Sequence, residues 1–175
     1  MNSEPGIKPI KLLCLDVDGV LTDGRISISD HGIESKTFHV RDGLAMKLWM
    51  SLGLEIAVIT GRTSNALVHR LEELGVRILH MGVSDKQPVF REVLEQVGCE
   101  ASEVAMLGDD LPDACILRLV GYPMAVQDAS AEILKMVHYV TVRPGGHAAV
   151  REAIEHLLKR QDQWDSAIER FLLDG

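Results

Sequence analysis

The chain has 175 residues, 46% of them hydrophobic, enough to bury a substantial core as one domain (1–175) and too apolar for a disordered protein. Against 18 basic residues stand 26 acidic ones, a net charge of −8 that argues against a nucleic-acid partner, since phosphate backbones attract basic surfaces. No apolar run approaches a membrane span, Cys14, Cys99 and Cys115 form no CxxC, and residues 1–11 lack the pattern of a signal peptide, so a cytoplasmic protein with free thiols and no membrane partner is expected.

The apolar run Ile10 to Leu15 reads as a buried strand. Asp16 and Asp18 then emerge where that strand meets a glycine-containing turn, the place where ligands bind in open α/β sheets. Two acids one residue apart repel unless a cation sits between them, and hard oxygen ligands suit Mg²⁺. Residues 24–40, GRISISDHGIESKTFHV, alternate apolar and polar positions on each side of Asp30-His31-Gly32, which predicts a β-hairpin. Strands are then expected near 55–60, 76–80, 103–108, 122–126 and 138–142, and helices near 43–52, 63–74, 86–97, 111–120, 129–136 and 147–160. Trp164, Ile168, Phe171 and Leu172 keep helical spacing in the tail 161–175, which is read as a short amphipathic helix on its own subunit or a neighbour, or else as a flexible tail.

This alternation implies an α/β fold, a Rossmann-like doubly wound parallel sheet with helices on both faces. Asp16, Thr60 and Asp109 would all stand at carboxyl ends of strands, and Lys86 at the start of a helix.

LDVDGVLTDG, Leu15 to Gly24, resembles the first motif of the haloacid dehalogenase (HAD) superfamily, DxDG(V/T)LT. The partners of that motif follow in order: Thr60 in AVITGR, Lys86 in GVSDK, and Asp109, Asp110 and Asp113 in MLGDDLPDA. The resemblance implies that Asp16 attacks phosphorus and that Asp18 serves as acid and then base, with Thr60 and Lys86 stabilising the phosphate. It also implies an Mg²⁺ site made by Asp16, Asp109 and the Asp18 backbone carbonyl. Asp110 would hold a metal-bound water and Asp113 would orient Lys86. Aspartate rather than threonine at position 18 favours a phosphatase.

Only 44 residues separate Asp16 from Thr60 and 26 separate Thr60 from Lys86, too few for the cap domain that many HAD enzymes insert. The hairpin stands in its place. Its apolar residues Ile26, Ile28, Ile33 and Phe38 lack obvious cover, so either a neighbouring subunit closes the open site or the hairpin is solvated on a monomer.

FHVRDG, VITGR, LEELGV, GVSDK, GDDLPD, HYVTVRPGG and AVRE make residues 10 to 160 similar to the family of 3-deoxy-D-manno-octulosonate 8-phosphate (KDO 8-phosphate) phosphatases. Members are small, cap-less, magnesium-dependent homotetramers whose hairpins form a central barrel. The resemblance implies hydrolysis of a small anionic sugar phosphate, KDO 8-phosphate, to KDO and phosphate in lipopolysaccharide precursor synthesis. Substrate contacts would come from His39, Val40, Arg41, Asp42, Gly43, Lys47, Gly61, Arg62 and Arg70, beside Asp18 and Lys86, with Arg62 the first choice for the sugar carboxylate. The chain departs from the family pattern at His39, often Asn, and at Ala148, where the pattern has Gly. Two alternatives stand beside this reading: a phosphatase of a nine-carbon 2-keto acid (KDN or sialate) 9-phosphate, which tends to carry Glu at position 62 and Lys at 73, and a non-catalytic phosphatase-like partner domain.

Overall fold

The structure, a computed structural model, describes residues 8–174; part of the N-terminal segment read above for a leader lies outside them. Six parallel strands make one sheet in the order β5-β4-β1-β6-β7-β8: β1 Leu12–Leu15, β4 Glu55–Ile59, β5 Ile78–His80, β6 Val104–Gly108, β7 Tyr122–Ala125 and β8 Tyr139–Val140. Every residue of β1 and β6 is buried, because a parallel sheet is covered on both faces and its strands read as unbroken apolar runs. On one face α1 (Val40–Ser51) packs on α6 (Ala149–Arg160), with α7 (Trp164–Asp174) against both. On the same face α2 (Asn65–Leu74) meets α1, and on the other α3 (Lys86–Val97) packs on β4 and on α4 (Ala114–Leu117). A short α5, Ala131–Leu134, precedes β8.

The chain leaves β1 toward β4 on one side and reaches β6 on the other, so the strand order reverses at β1, where α/β sheets open a crevice for ligands. Leu15 pairs with Val58 and with Leu107, and the residues that follow the ends of these three strands are therefore brought side by side. They are Asp16, Thr60 and Asp109. The turn after β1 is backed by the Pro144-Gly145-Gly146 loop. A Cβ at Gly145 would lie 1.8 Å from the Gly19 carbonyl oxygen, so only glycine permits this contact.

Three expectations change. The helix expected at 111–120 is a 3₁₀ turn, Leu111–Asp113, followed by the single turn of α4, with Pro112 lacking an amide donor and the Asp113 carboxylate turned inward. The 24–40 segment does form a hairpin, but its ladder is only β2, Ser27–Ile28, paired with β3, Glu34–Ser35. Phe38, expected on an uncovered face, packs against the chain's own core, whereas Ile26, Ile28 and Ile33 remain exposed. The tail is helical and rests on its own subunit through Trp164, Ala167 and Ile168, leaving Phe171 and Leu172 in solvent.

Ala148 begins α6 with φ of 71°, a left-handed conformation that opposes its Cβ, and it has no side-chain oxygen to cap the helix. Asp42 of α1 does that work from 109 positions away, its Oδ1 accepting from the Arg151 amide at 2.7 Å. Replacing Ala148 by Gly relieves the backbone at a small cost in unfolded-chain entropy, and should stabilise the protein by about 1 kcal/mol. Thermal unfolding of Ala148→Gly should then show a midpoint roughly 2–4 °C higher, and an unchanged or lower midpoint would contradict the strain.

Candidate active site

A cavity of about 390 Å³ opens at the carboxyl ends of β1, β4 and β6. Its walls carry six carboxylates, Asp16, Asp18, Asp85, Asp109, Asp110 and Asp113, against two cations, Arg62 and Lys86, an imbalance that calls for a further cation. A larger cavity of about 620 Å³, lined by Arg41, Arg143, Arg151, Glu152 and Glu155 among others, lacks this excess. There Glu152 accepts from the Val142 and Arg143 amides, and Glu155 pairs with Arg151 and Lys159.

Lys86 is the hub of the acid cavity. It opens α3 behind the N-cap Asp85, and its buried ammonium donates to Asp16 Oδ1 and to Asp113 Oδ1, both at 2.7 Å. Burial works against its charge, but the two carboxylates outweigh that and raise its pKa. Asp113 is fully committed, since Oδ2 accepts from the Asp109 amide at 3.0 Å. Gly108 makes this possible: a Cβ there would lie 2.5 Å from Asp113 Oδ2. Asp109 is admitted in the same way by Gly19, whose φ is +95° and whose Cβ would stand 2.1 Å from Asp109 Oδ2.

Carboxylate atoms of Asp16, Asp109 and Asp113 lie within 4.8 Å of one another. With both Asp113 oxygens engaged, the Asp109 carboxylate and the second Asp16 oxygen are left to face a cation. Burial, followed by the charges of Asp16 and Asp113, pushes Asp109 up to about 8. Burial and Asp113 likewise push Asp16 upward, against the pull of Lys86. Carboxylates held this way stay ionised at neutral pH when a hard divalent cation such as Mg²⁺ sits among them, so the donor set fits that ion.

Thr60, also buried, accepts the Arg62 amide on Oγ1 at 3.3 Å, which leaves its hydroxyl proton free to donate. Arg62 reaches across the mouth to Glu34 of the hairpin, 2.5 Å away, with its Nε 3.9 Å from Asp18 Oδ2. Asp110 and Gly61 are exposed and line the cavity.

The other sequence-predicted contacts do not line this cavity. His39 caps α1 by accepting the Arg41 amide, Val40 and Lys47 are exposed, Arg41 lines the larger cavity, and Arg70 lies over Gly43 and pairs with Glu73. Asp42 is 2% exposed, with its Oδ1 engaged by α6 and its Oδ2 buried without a hydrogen-bond partner among the described residues, a structural position in place of the expected substrate contact. One residue that the motifs did not reveal belongs to the site: Lys36, whose ammonium donates to Asp18 Oδ1.

Residues 77–154 match the haloacid dehalogenase-like hydrolase family. Over 158 residues, 90% of this chain and 84% of the relative, the sequence is 40% identical to the KDO 8-phosphate phosphatase of Yersinia pestis. The crystal structure of the Yersinia pestis phosphatase superimposes with a TM-score of 0.88 at 40% identity, covering 89% of this chain and 84% of that one. The phosphatase of Moraxella catarrhalis, solved with a magnesium ion, a phosphate ion and a KDO molecule, superimposes with a TM-score of 0.89 at 38% identity, covering 93% of each chain.

A carboxyl held near 8 in the folded state and near 3.8 when unfolded takes up a proton on folding, so its contribution to stability is present below the lower value and is lost as pH rises through the upper one. Chelator-treated protein should therefore melt at a lower temperature at pH 8 than at pH 5. Added Mg²⁺ should raise the midpoint more at pH 8, and a pH-independent response to Mg²⁺ would contradict the assignment of Asp109 to the cation.

Proposed function

We propose a residue-level chemistry from one premise: this chain belongs to the KDO 8-phosphate phosphatase family of haloacid dehalogenase-like hydrolases. It is a magnesium-dependent phosphomonoester hydrolase that converts KDO 8-phosphate to KDO and phosphate, in lipopolysaccharide precursor synthesis. The observation that carries the proposed roles is the Asp16–Lys86–Asp113 bridge at the sheet's switch point.

Asp16 is the nucleophile. Lys86 holds its carboxylate through Oδ1 and so orients it toward the phosphorus. Thr60 donates its hydroxyl to a phosphate oxygen, and Lys86 balances the charge that accumulates there. Bound by Asp16, Asp109 and the Asp18 carbonyl, Mg²⁺ supplies charge neutralisation and alignment of the phosphate. Asp18 gives a proton to the departing sugar oxygen and then takes one from the water that hydrolyses the aspartyl-phosphate. Asp110, on the rim, holds a water of the metal.

Arg62 receives the sugar carboxylate. Its guanidinium faces the cavity and is half-engaged with Glu34, a carboxylate that a substrate carboxylate can replace. Arg62 and Glu73 both depart from the nine-carbon pattern, and Glu73 pairs with Arg70, so the eight-carbon acid is favoured. The intact acid set speaks against a non-catalytic partner domain.

The assembly we propose is a cytoplasmic homotetramer. Ile26, Ile28 and Ile33 are 56%, 61% and 67% exposed on a ribbon too short to stand alone, and joining hairpins from several copies about a common axis covers them. His39, Val40, Arg41, Gly43, Lys47 and Arg70, which lie outside the cavity of their own chain, would then act on substrate across a subunit boundary.

Asp16→Asn should lower phosphate release from KDO 8-phosphate by roughly 1000-fold or more with the thermal midpoint retained; turnover near the parent rate would remove the nucleophile. Arg62→Ala should raise KM for KDO 8-phosphate about tenfold and KM for p-nitrophenyl phosphate less than about twofold, because a charged hydrogen bond is lost only with the former. Equal changes would assign Arg62 to the phosphate instead. In light scattering, Ile28→Asp should yield species smaller than the tetramer, with activity on KDO 8-phosphate reduced more than on p-nitrophenyl phosphate; a fully active monomeric parent would refute the assembly.

A further inference from the structure

In the hairpin the isoleucines face solvent and a lysine faces inward. Ile28 and Ile33 are more than half exposed, whereas the Lys36 side chain is 4% exposed. Taking an ammonium out of water is unfavourable unless charges and acceptors meet it, and an otherwise exposed two-residue strand pair offers no packing reason to do so. What meets it is Asp18. Lys36 Nζ donates to Asp18 Oδ1 and lies 3.2 Å from Glu34 Oε1; Glu34 Oε2 accepts from Arg62, and Arg62 Nε returns to within 3.9 Å of Asp18 Oδ2. The ring joins two carboxylates to two cations, so it is neutral and adds nothing to the charge imbalance deeper in the cavity.

The two oxygens of Asp18 are thereby made unequal. Oδ1 is held by Lys36, while Oδ2 is buried and has no hydrogen-bond partner among the described residues. We propose that Lys36 is the positioning residue for Asp18, fixing the carboxyl through Oδ1 so that Oδ2 alone exchanges the proton with the leaving group and with water. The proposal rests on the reading of Asp18 as acid and base.

As the bond from Asp16 to phosphorus forms, the bond from phosphorus to the sugar oxygen breaks. Its electron pair stays on that oxygen, which takes the proton from Asp18 Oδ2. In the second half, water bonds to phosphorus, gives its proton to Asp18 Oδ2, and the electron pair of the Asp16–phosphorus bond returns to the Asp16 carboxylate. Oδ1 keeps an acceptor lone pair in both protonation states, so the contact with Lys36 persists through the cycle. Lys36 and Asp18 belong to the same chain, and the positioning therefore needs no second subunit.

Lys36→Met and Lys36→Arg, assayed as the full-length Mg²⁺-loaded protein, test this with KDO 8-phosphate, glycerol 3-phosphate and 2,4-dinitrophenyl phosphate. The first two release alkoxides that need a proton, only the first carries a carboxylate, and the third releases a phenolate that needs none. Lys36→Met should lower kcat/KM by about tenfold or more on both alkyl phosphates and by less than about twofold on the dinitrophenyl ester, with Lys36→Arg recovering most of the loss. Activity on the dinitrophenyl ester reports a folded site. A loss confined to KDO 8-phosphate would make Lys36 a carboxylate ligand, and an equal loss on all three would make it structural; either overturns the proposal. Asp18→Asn, run on the same substrates, separates the two readings: no leaving-group dependence there removes the acid role of Asp18 and that of Lys36 with it, whereas dependence there but not in Lys36→Met overturns the positioning role alone.

Discussion

One buried ammonium organises this protein's active end. Lys86 draws Asp16 from the turn after β1 and Asp113 from the turn after β6 onto a single atom, and so fixes the two loops relative to α3. Removing one partner of such a buried pair leaves an uncompensated charge, which is far more costly than the pair itself is stabilising. With Asp18 met by Lys36, the cavity acids Asp85, Asp109 and Asp110 are left without an ion pair among the described residues. Their surplus negative charge is a liability for folding and, with Mg²⁺ present, the means of holding a phosphate beside a carboxylate nucleophile that it would otherwise repel.

Glycines make that concentration of charge sterically possible. Gly19 and Gly108 lie against the carboxylates of Asp109 and Asp113, at separations where any Cβ would collide. Gly145 lets a distant loop brace the same turn. The rigidity of the parallel sheet carries the rest, because the ends of β1, β4 and β6 are adjacent by register. The hairpin adds a second, shallower layer of ion pairs through Glu34 and Lys36, and it joins the element that most needs a partner copy to the residues closest to the chemistry.

The sheet was legible in the sequence because parallel strands buried on both faces leave unbroken apolar runs, and those of β1, β4 and β6 are followed directly by the motif residues Asp16, Thr60 and Asp109. Asp113 as the partner of Lys86 was implied by the resemblance of GDDLPDA to the family motif, and the structure places the two in contact. What escaped was the work done by side chains over long separations. Asp42 caps a helix that begins more than 100 positions later, and its place in the VRDG segment suggested a substrate contact instead. Lys36 sits in an alternating polar pattern that reads as a solvated edge; only the folded position of Asp18 shows why it turns inward. Phe38 and the interrupted helix after Asp110 were misread for a simpler reason: local periodicity takes no account of Pro112 or of a core that reaches under the hairpin.

The central claim is that Asp16, fixed by Lys86, becomes covalently phosphorylated. Acid quenching of the Mg²⁺-loaded enzyme during turnover of KDO 8-phosphate, followed by borohydride reduction and peptide mass spectrometry, tests it most directly. Borohydride reduces an aspartyl-phosphate to homoserine and leaves a free carboxylate untouched, so the account predicts homoserine at position 16 alone. Conversion at another aspartate, or an unmodified Asp16 in enzyme quenched while phosphate is still being released, would contradict it.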